Sequence, residues 1–300
     1  MTDPKDPRHL RAELTIAAVS FVWGSTFVAV KGALEDVSTL LFIALRFVLA
    51  AALMGFFFQR TLFRRESWRG NAGAAGVITG FLLFLGYALQ TAGLRYTTAS
   101  KSAFITGLYI VVVPLIVSCV KRSRPRPLEW AGVGLAFGGT ALLTSGSGTF
   151  HLNGGDILTV GCAVAFAAHM VAVEHFTQRL NYKLLSILQV GAVGVFAALT
   201  FGWAEKPFLV ATPRLIMALA ITAVFATAIS FALYTWAQGH TTATRAALIF
   251  SLEPVFAGLV AWIWAGEAWT GRALFGAALI LAGIMAVELK PRPETQHPSH

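Results

Sequence analysis

Glu253 is the only acidic residue near the centre of any long apolar run in this chain, and 144 residues earlier, in an echoing stretch, stands Tyr109. A carboxylate in hydrocarbon costs on the order of 3 kcal/mol, so it faces a cavity or a partner. Facing a cavity, it can hold the ammonium of a solute or exchange a proton, while the Tyr109 phenol offers a neutral hydrogen bond and an aromatic wall. A structural carboxyl bonded to a neighbouring helix is the competing reading. Arg46 lies about two turns inside another run, where a guanidinium must be paired or must reach the interface. Its counterpart 143 residues on is Gln189, also polar, which points to polar support at a shared depth. His169 is either a titrating group or a satisfied interhelical donor. Trp23 and Tyr87 lie too deep for interfacial belts and join the candidate cavity set. Pro114 and Pro254 fall inside runs, and a proline removes an intrahelical bond, so both are candidate hinges.

No pattern here points to catalysis. There is no H-E-x-x-H, P-loop, G-x-S-x-G or paired aspartate, and Cys119 and Cys162 both lie in apolar runs and read as small core residues. No cofactor and no metal are expected.

The elements that must position these groups follow from composition. The chain has 300 residues, 56% hydrophobic and only 12% charged, and its mean hydropathy is +0.70. That is the composition of a protein dissolved in lipid. A helix needs about 20 apolar residues to cross, and ten such spans can be placed at about 12–32, 38–58, 71–93, 99–120, 128–145, 155–175, 184–203, 213–236, 244–265 and 271–289. The net charge of +9 sits in the connections, which argues for loops at an anionic leaflet and against nucleic acid.

The spans are duplicated. Tyr96-Thr97-Thr98-Ala99-Ser100-Lys101-Ser102-Ala103 is echoed 144 residues on by His240-Thr241-Thr242-Ala243-Thr244-Arg245-Ala246-Ala247, and earlier positions align better at 143. Two halves result, residues 12–145 and 155–289, between a polar N-terminal segment 1–11 and a Pro-rich tail 290–300. Five spans in each half invert the second relative to the first, as in inverted-repeat transporters. With the N-terminus cytoplasmic, sixteen Lys and Arg fall inside, six fall outside (Lys31, Arg95, Lys101, Lys206, Arg214, Arg272), and Arg46 is intramembrane. The positive-inside rule then places both termini in the cytoplasm. Gly76-x-x-x-Gly80, Gly134-x-x-x-Gly138, and Gly132/Gly139 with their echoes Gly276/Gly283 would allow close helix contact.

Trp23-Gly24-Ser25-Thr26-Phe27, Leu45-Arg46-Phe47, Tyr87-Ala88-Leu89-Gln90 through to Ser100, Pro114, Glu253-Pro254-Val255-Phe256-Ala257, Gly266-Glu267 and Gly276 to Gly283 together resemble the EamA family of the drug/metabolite transporter superfamily. The resemblance covers about residues 12–289. It implies an all-α membrane protein of ten helices in two inverted five-helix repeats. It also implies export of small metabolites such as amino acids, and a cavity lined mainly by spans 1, 3, 4, 6, 8 and 9, with 5 and 10 as packing elements. Carried onto this chain, the family pattern marks Trp23, Gly24, Arg46, Pro114, Glu253, Pro254 and Glu267. Phe166-Ala167 replaces the second Trp-Gly, and Lys121-Arg122-Ser123 stands where Gly266-Glu267 would have its echo.

The expectation is therefore a multi-pass carrier in a cell membrane, a bacterial inner membrane by preference. Its partners would be a small-molecule substrate and lipids, with protons as a candidate coupling ion. A broad drug efflux carrier, a channel and a membrane-embedded enzyme are the alternatives. The last would need an acidic metal-binding cluster that the sequence does not display.

Overall fold

In lipid a backbone segment satisfies its own polar groups only as a helix or in a closed barrel, and the apolar runs of this chain are helical. A computed structural model describes residues 7–68, 70–122, 127–144, 153–265 and 270–288. The first half comprises α1 (Pro7–Ala33), α2 (Thr39–Phe57), the short α3 (Gln59–Phe63), a 3₁₀ turn (Arg65–Trp68), α4 (Ala72–Leu94), α5 (Ala99–Thr106), α6 (Tyr109–Lys121) and α7 (Pro127–Thr144). The second comprises α8 (Gly154–Thr177), α9 (Tyr182–Ala204), α10 (Pro213–Ala223), a π turn (Val224–Ile229), α11 (Ser230–Gln238), α12 (Ala243–Phe250), α13 (Glu253–Ala265) and α14 (Gly271–Glu288). These are the ten spans, with three of them interrupted. Gly266, Glu267, the connection around residue 146 and the C-terminal tail lie outside the described residues.

Large apolar side chains cover the outside of the bundle: Val28 is 72% exposed and Leu199 67%, a surface that lipid, not water, can face. Among the described residues, eight helical stretches are long and apolar enough to cross a membrane. Cys162 is buried as expected, but Cys119 is exposed on α6, because its position falls on the outer face of that helix.

The inverted repeat is visible in the contacts themselves. Where α7 crosses α14, a Cβ on Gly139 would lie 2.5 Å from the Gly276 carbonyl oxygen, and one on Gly283 would lie 2.6 Å from that of Gly132. Gly132 pairs with Gly276, and Gly139 with Gly283, under the repeat, so one two-fold operation exchanges the two contacts. Gly76 and Gly80 of α4 let α9 approach in the same way through Leu188 and Ala192. Gly134 and Gly138 do not: nothing lies within 4 Å of where their Cβ atoms would be, so that motif faces outward.

Two ion pairs obey the same symmetry at opposite ends of the bundle. Lys101 Nζ lies 2.6 Å from Asp156 Oδ2, joining α5 to α8, and Arg245 Nη1 lies 2.9 Å from Glu13 Oε1, joining α12 to α1. Lys101 and Arg245 are repeat mates, and so are Glu13 and Asp156. The end holding Glu13 and the start of α1 is called proximal below, and the other distal. The distal end is closely stitched: Arg95 bonds the Leu34 and Val37 carbonyls, Lys31 the Arg95 and Thr97 carbonyls, and Glu205 caps α2 through the amides of Leu40 and Leu41.

The duplicated Thr-Thr-Ala sequence has a local meaning. Thr98 and Thr242 are N-caps whose hydroxyls accept from the amides of Lys101 and Arg245, fixing the starts of α5 and α12. Each of these helices then stops after eight residues, at Thr106 and Phe250, which are again repeat mates. The breaks fall at Gly107-Leu108 and Ser251-Leu252, where three-residue turns replace the α ladder (Leu108 N to Ile105 O, 3.1 Å; Leu252 N to Ile249 O, 3.0 Å). Gly107 is a weak helix former, and the Ser251 hydroxyl bonds the Leu248 carbonyl in competition with the ladder. The π turn accounts for the change of offset. Arg46 and Gln189 are 143 apart, whereas Leu94 and Gln238, which end α4 and α11, are 144 apart. An i→i+5 turn within that interval holds one residue more than an α turn.

Candidate functional site

The breaks set Tyr109 and Glu253 at the same position of α6 and α13, the first residue after each interruption. Both face one central cavity, with the Tyr109 hydroxyl close enough to the Glu253 carboxyl to interact with it. Trp23, Arg46, Tyr87 and His169 line the same cavity, so sequence-predicted residues of four further spans converge with this pair. The space open to the centres of water-sized spheres is about 70 Å³, enough for on the order of five waters.

The lining consists largely of repeat mates. Trp23 and Phe166, Thr26 and His169, Phe27 and Met170, Tyr87 and Phe231, Gln90 and Tyr234, Thr106 and Phe250, and Tyr109 and Glu253 all contribute. A cavity lined by both members of each pair lies on the pseudo-two-fold axis. Tyr87 and Phe231 meet there with ring centres 6.3 Å apart. The floor is aromatic: Trp23 stacks on Phe250 at 5.0 Å and leans on Phe231 at 5.4 Å.

Arg46 does not snorkel. It is 5% exposed and turns inward, its Nε donating to Thr227 Oγ1 at 2.7 Å and its guanidinium carbon 4.9 Å from the centre of the Tyr87 ring. Thr227 belongs to the π turn, and the neighbouring Ala226 carbonyl accepts from Trp23 Nε1 at 2.9 Å. A widened turn frees backbone carbonyls from the α ladder, and here one of them anchors the indole of the cavity floor. His169 is held by Gln189. Thr235 Oγ1 donates to the Phe231 carbonyl at 2.6 Å and so accepts from Gln189 Nε2 at 2.8 Å. Gln189 Oε1 therefore meets His169 Nε2 at 2.8 Å, which puts the ring proton on Nε2 and leaves Nδ1 as acceptor. Gln189 itself is fully buried outside the cavity lining, a support to His169.

The prolines sit differently from their expected mid-helix places. Pro254 is the second residue of α13; lacking an N–H for the Phe250 carbonyl, it begins that helix and does not kink one. Pro114 lies inside α6, beyond the break at Gly107-Leu108, which it therefore does not cause. Neither proline lines the cavity.

The comparisons with known proteins come down on the same side as this geometry. The model of the EamA-like transporter family matches the chain twice, over residues 10–145 and 153–289. The chain belongs to the EamA-like transporter family. An "uncharacterized transporter" of Archaeoglobus fulgidus is 36% identical over 94% of this chain and 87% of its own. The "uncharacterized inner membrane transporter YedA" of Escherichia coli is 25% identical over 91% and 92%. A crystal structure with 19% sequence identity superposes with a TM-score of 0.78 over 93% of this chain and 96% of the other, which shows the fold.

Within this EamA-like frame the lining extends beyond the expected spans. Span 2 contributes Arg46, which the resemblance did not assign to the cavity. Gln90, Thr106, Phe231 and Phe250 also line it. The repeat offset carried the signal for one of these: Phe231 is the mate of Tyr87, which the sequence already placed in the cavity.

Proposed function

We propose that the protein is a secondary carrier that exports small metabolites, with amino acids or related amphipathic solutes as the favoured class, by alternating access through the central cavity. One observation carries the reading: a single aromatic-walled cavity holds a carboxyl, Glu253, and a guanidinium, Arg46, and neither has an oppositely charged partner among the described residues. A zwitterion brings a counter-ion to each, its ammonium toward Glu253 and its carboxylate toward Arg46, while Trp23, Tyr87 and Phe250 offer surface to its side chain. Glu253 is also the group positioned to exchange a proton, with Tyr109 beside it. The reading places the carrier in a cell membrane with both termini cytoplasmic and assigns it no catalytic step.

Counterflow of labelled amino acids into proteoliposomes of the purified protein tests this. Saturable uptake accelerated by unlabelled solute inside is expected. Unsaturable flux without counterflow overturns the reading in favour of a channel, and counterflow confined to drug-like compounds overturns the substrate class.

A further inference from the structure

Resting on the carrier reading above, we propose that Tyr234 and Gln238 line the half of the solute route that is shut in this structure, from the cavity to the proximal face, and supply its hydrogen bonds to the passing solute. Two independent observations meet on these residues.

The first is symmetry. Toward the distal end the cavity continues along Val30, Thr91 and Leu94. In an inverted repeat, alternating access exchanges the conformations of the two halves. Residues equivalent to the lining of one path therefore line the other path in the alternate state. The mate of Leu94 is Gln238, the last residue of α11, at the proximal end, and the mate of Gln90 is Tyr234.

The second is unmet polarity. Tyr234, 1% exposed, lines the cavity floor with a hydroxyl that has no hydrogen-bond partner, and Gln238, 0% exposed, has none for either amide atom. They are four residues apart and share a face of α11. Polar groups pointing elsewhere from this helix are satisfied, Ser230 by the Phe225 carbonyl and Thr235 by Phe231 and Gln189. The orphans continue on the neighbouring elements: His9, one turn before Glu13, and Thr241, four residues before Arg245, also carry buried unpartnered atoms. The Glu13–Arg245 pair ties α1 to α12 at the proximal end. Buried groups without partners are costly and rare. A phenol and a carboxamide in series fit a solute head bearing both donors and acceptors, as an ammonium and carboxylate do.

The test uses Gln238→Cys in full-length protein carrying Cys119→Ser and Cys162→Ala, reconstituted in vesicles. A membrane-impermeant methanethiosulfonate is applied to the face that holds the N-terminus, with Arg179→Cys as the exposed control. Modification of Gln238→Cys is expected, several-fold faster once Glu13→Gln removes the closing ion pair. No modification in either background while the control reacts overturns the route. Two variants without cysteine read the same point through stability. Tyr234→Phe and Gln238→Leu are expected to keep or raise the melting temperature, because they remove orphaned groups, and to slow counterflow several-fold. A lowered melting temperature with unchanged counterflow assigns them to packing and overturns the proposal. Counterflow without modification leaves the carrier reading standing and the route wrong; modification without counterflow of any solute leaves the path standing and the carrier reading wrong.

Discussion

Glu253 and Tyr109 occupy one repeat position and have diverged in charge, which gives the cavity on the two-fold axis an asymmetric chemistry. If the carboxyl binds or exchanges a cation, Glu253→Gln abolishes or strongly reduces transport and flattens its pH dependence. The amide keeps the shape and can hydrogen-bond as a neutral carboxyl does, so the melting temperature should hold. Initial rates of the purified variant across pH, with a thermal melt as control, check this, and an unchanged pH profile returns Glu253 to a packing role. Asp36, in the distal connection between α1 and α2, makes a different pH prediction. Its carboxyl accepts from Arg214 Nε and Nη2, each at 3.0 Å, and from Thr212 Oγ1 at 2.6 Å. The bonds from the Arg214 guanidinium, with that from Thr212 second, hold its pKa below the ordinary carboxylate value. A carboxyl depressed in the folded state stabilises above its unfolded pKa, and that contribution is lost as pH falls through the folded pKa. Asp36→Asn should therefore melt below the parent at about pH 7, and the gap should narrow as the pH is lowered below the ordinary carboxylate pKa of about 3.9. A gap of equal size above and below that value contradicts the assignment.

At the scale of elements, glycines decide how closely helices meet. Gly139 and Gly283 make equivalent contacts in the α7–α14 crossing, so Gly139→Ala and Gly283→Ala should each destabilise by about 1–3 kcal/mol through overpacking and by similar amounts. Gly134 has nothing within 4 Å of its missing Cβ. Gly134→Ala should be neutral or stabilising by up to about 1 kcal/mol from helix propensity alone. Chemical denaturation in detergent micelles ranks the three, and a Gly134→Ala cost equal to the others would mean that the crossing is not what limits them. The interrupted helices work differently. Gly24 lets α1 pass the break before α13, where its Cβ would lie 2.5 Å from the Glu253 carbonyl oxygen. The break, and not a proline kink, sets the position of the carboxyl.

For the whole molecule, the proposed orientation with both termini cytoplasmic rests on the charge bias of sixteen to six and the odd number of spans per half. A C-terminal green fluorescent protein fusion should be bright and an alkaline phosphatase fusion inactive; the reverse pattern overturns the orientation. The folded chain also shows why the few distal cations are compatible with that bias. Lys31, Arg95, Lys101 and Arg214 are taken up by backbone carbonyls or carboxylates at the distal end, so they act as local staples. The two symmetric ion pairs, Lys101–Asp156 and Glu13–Arg245, tie one pair of helices at each face.

The sequence by itself determined the ten spans, their duplication and the equivalence of Tyr109 with Glu253, because lipid forces apolar runs into helices and a fixed offset survives divergence in side chains. It also carried the N-caps of α5 and α12, written twice as Thr-Thr-Ala. Tertiary structure alone decided the rest. The breaks at Gly107-Leu108 and Ser251-Leu252 depend on which carbonyls neighbouring groups can satisfy, and while the π turn left a one-residue change of offset in the sequence, only the fold shows Trp23 and Arg46 bonded to it. Whether Arg46 snorkels or turns inward, whether Gly134 meets a neighbour as Gly139 does, and which hydroxyl is left without a partner all depend on helix rotation. Rotation is set by packing between segments 100 or more residues apart and leaves no periodic trace in any one of them.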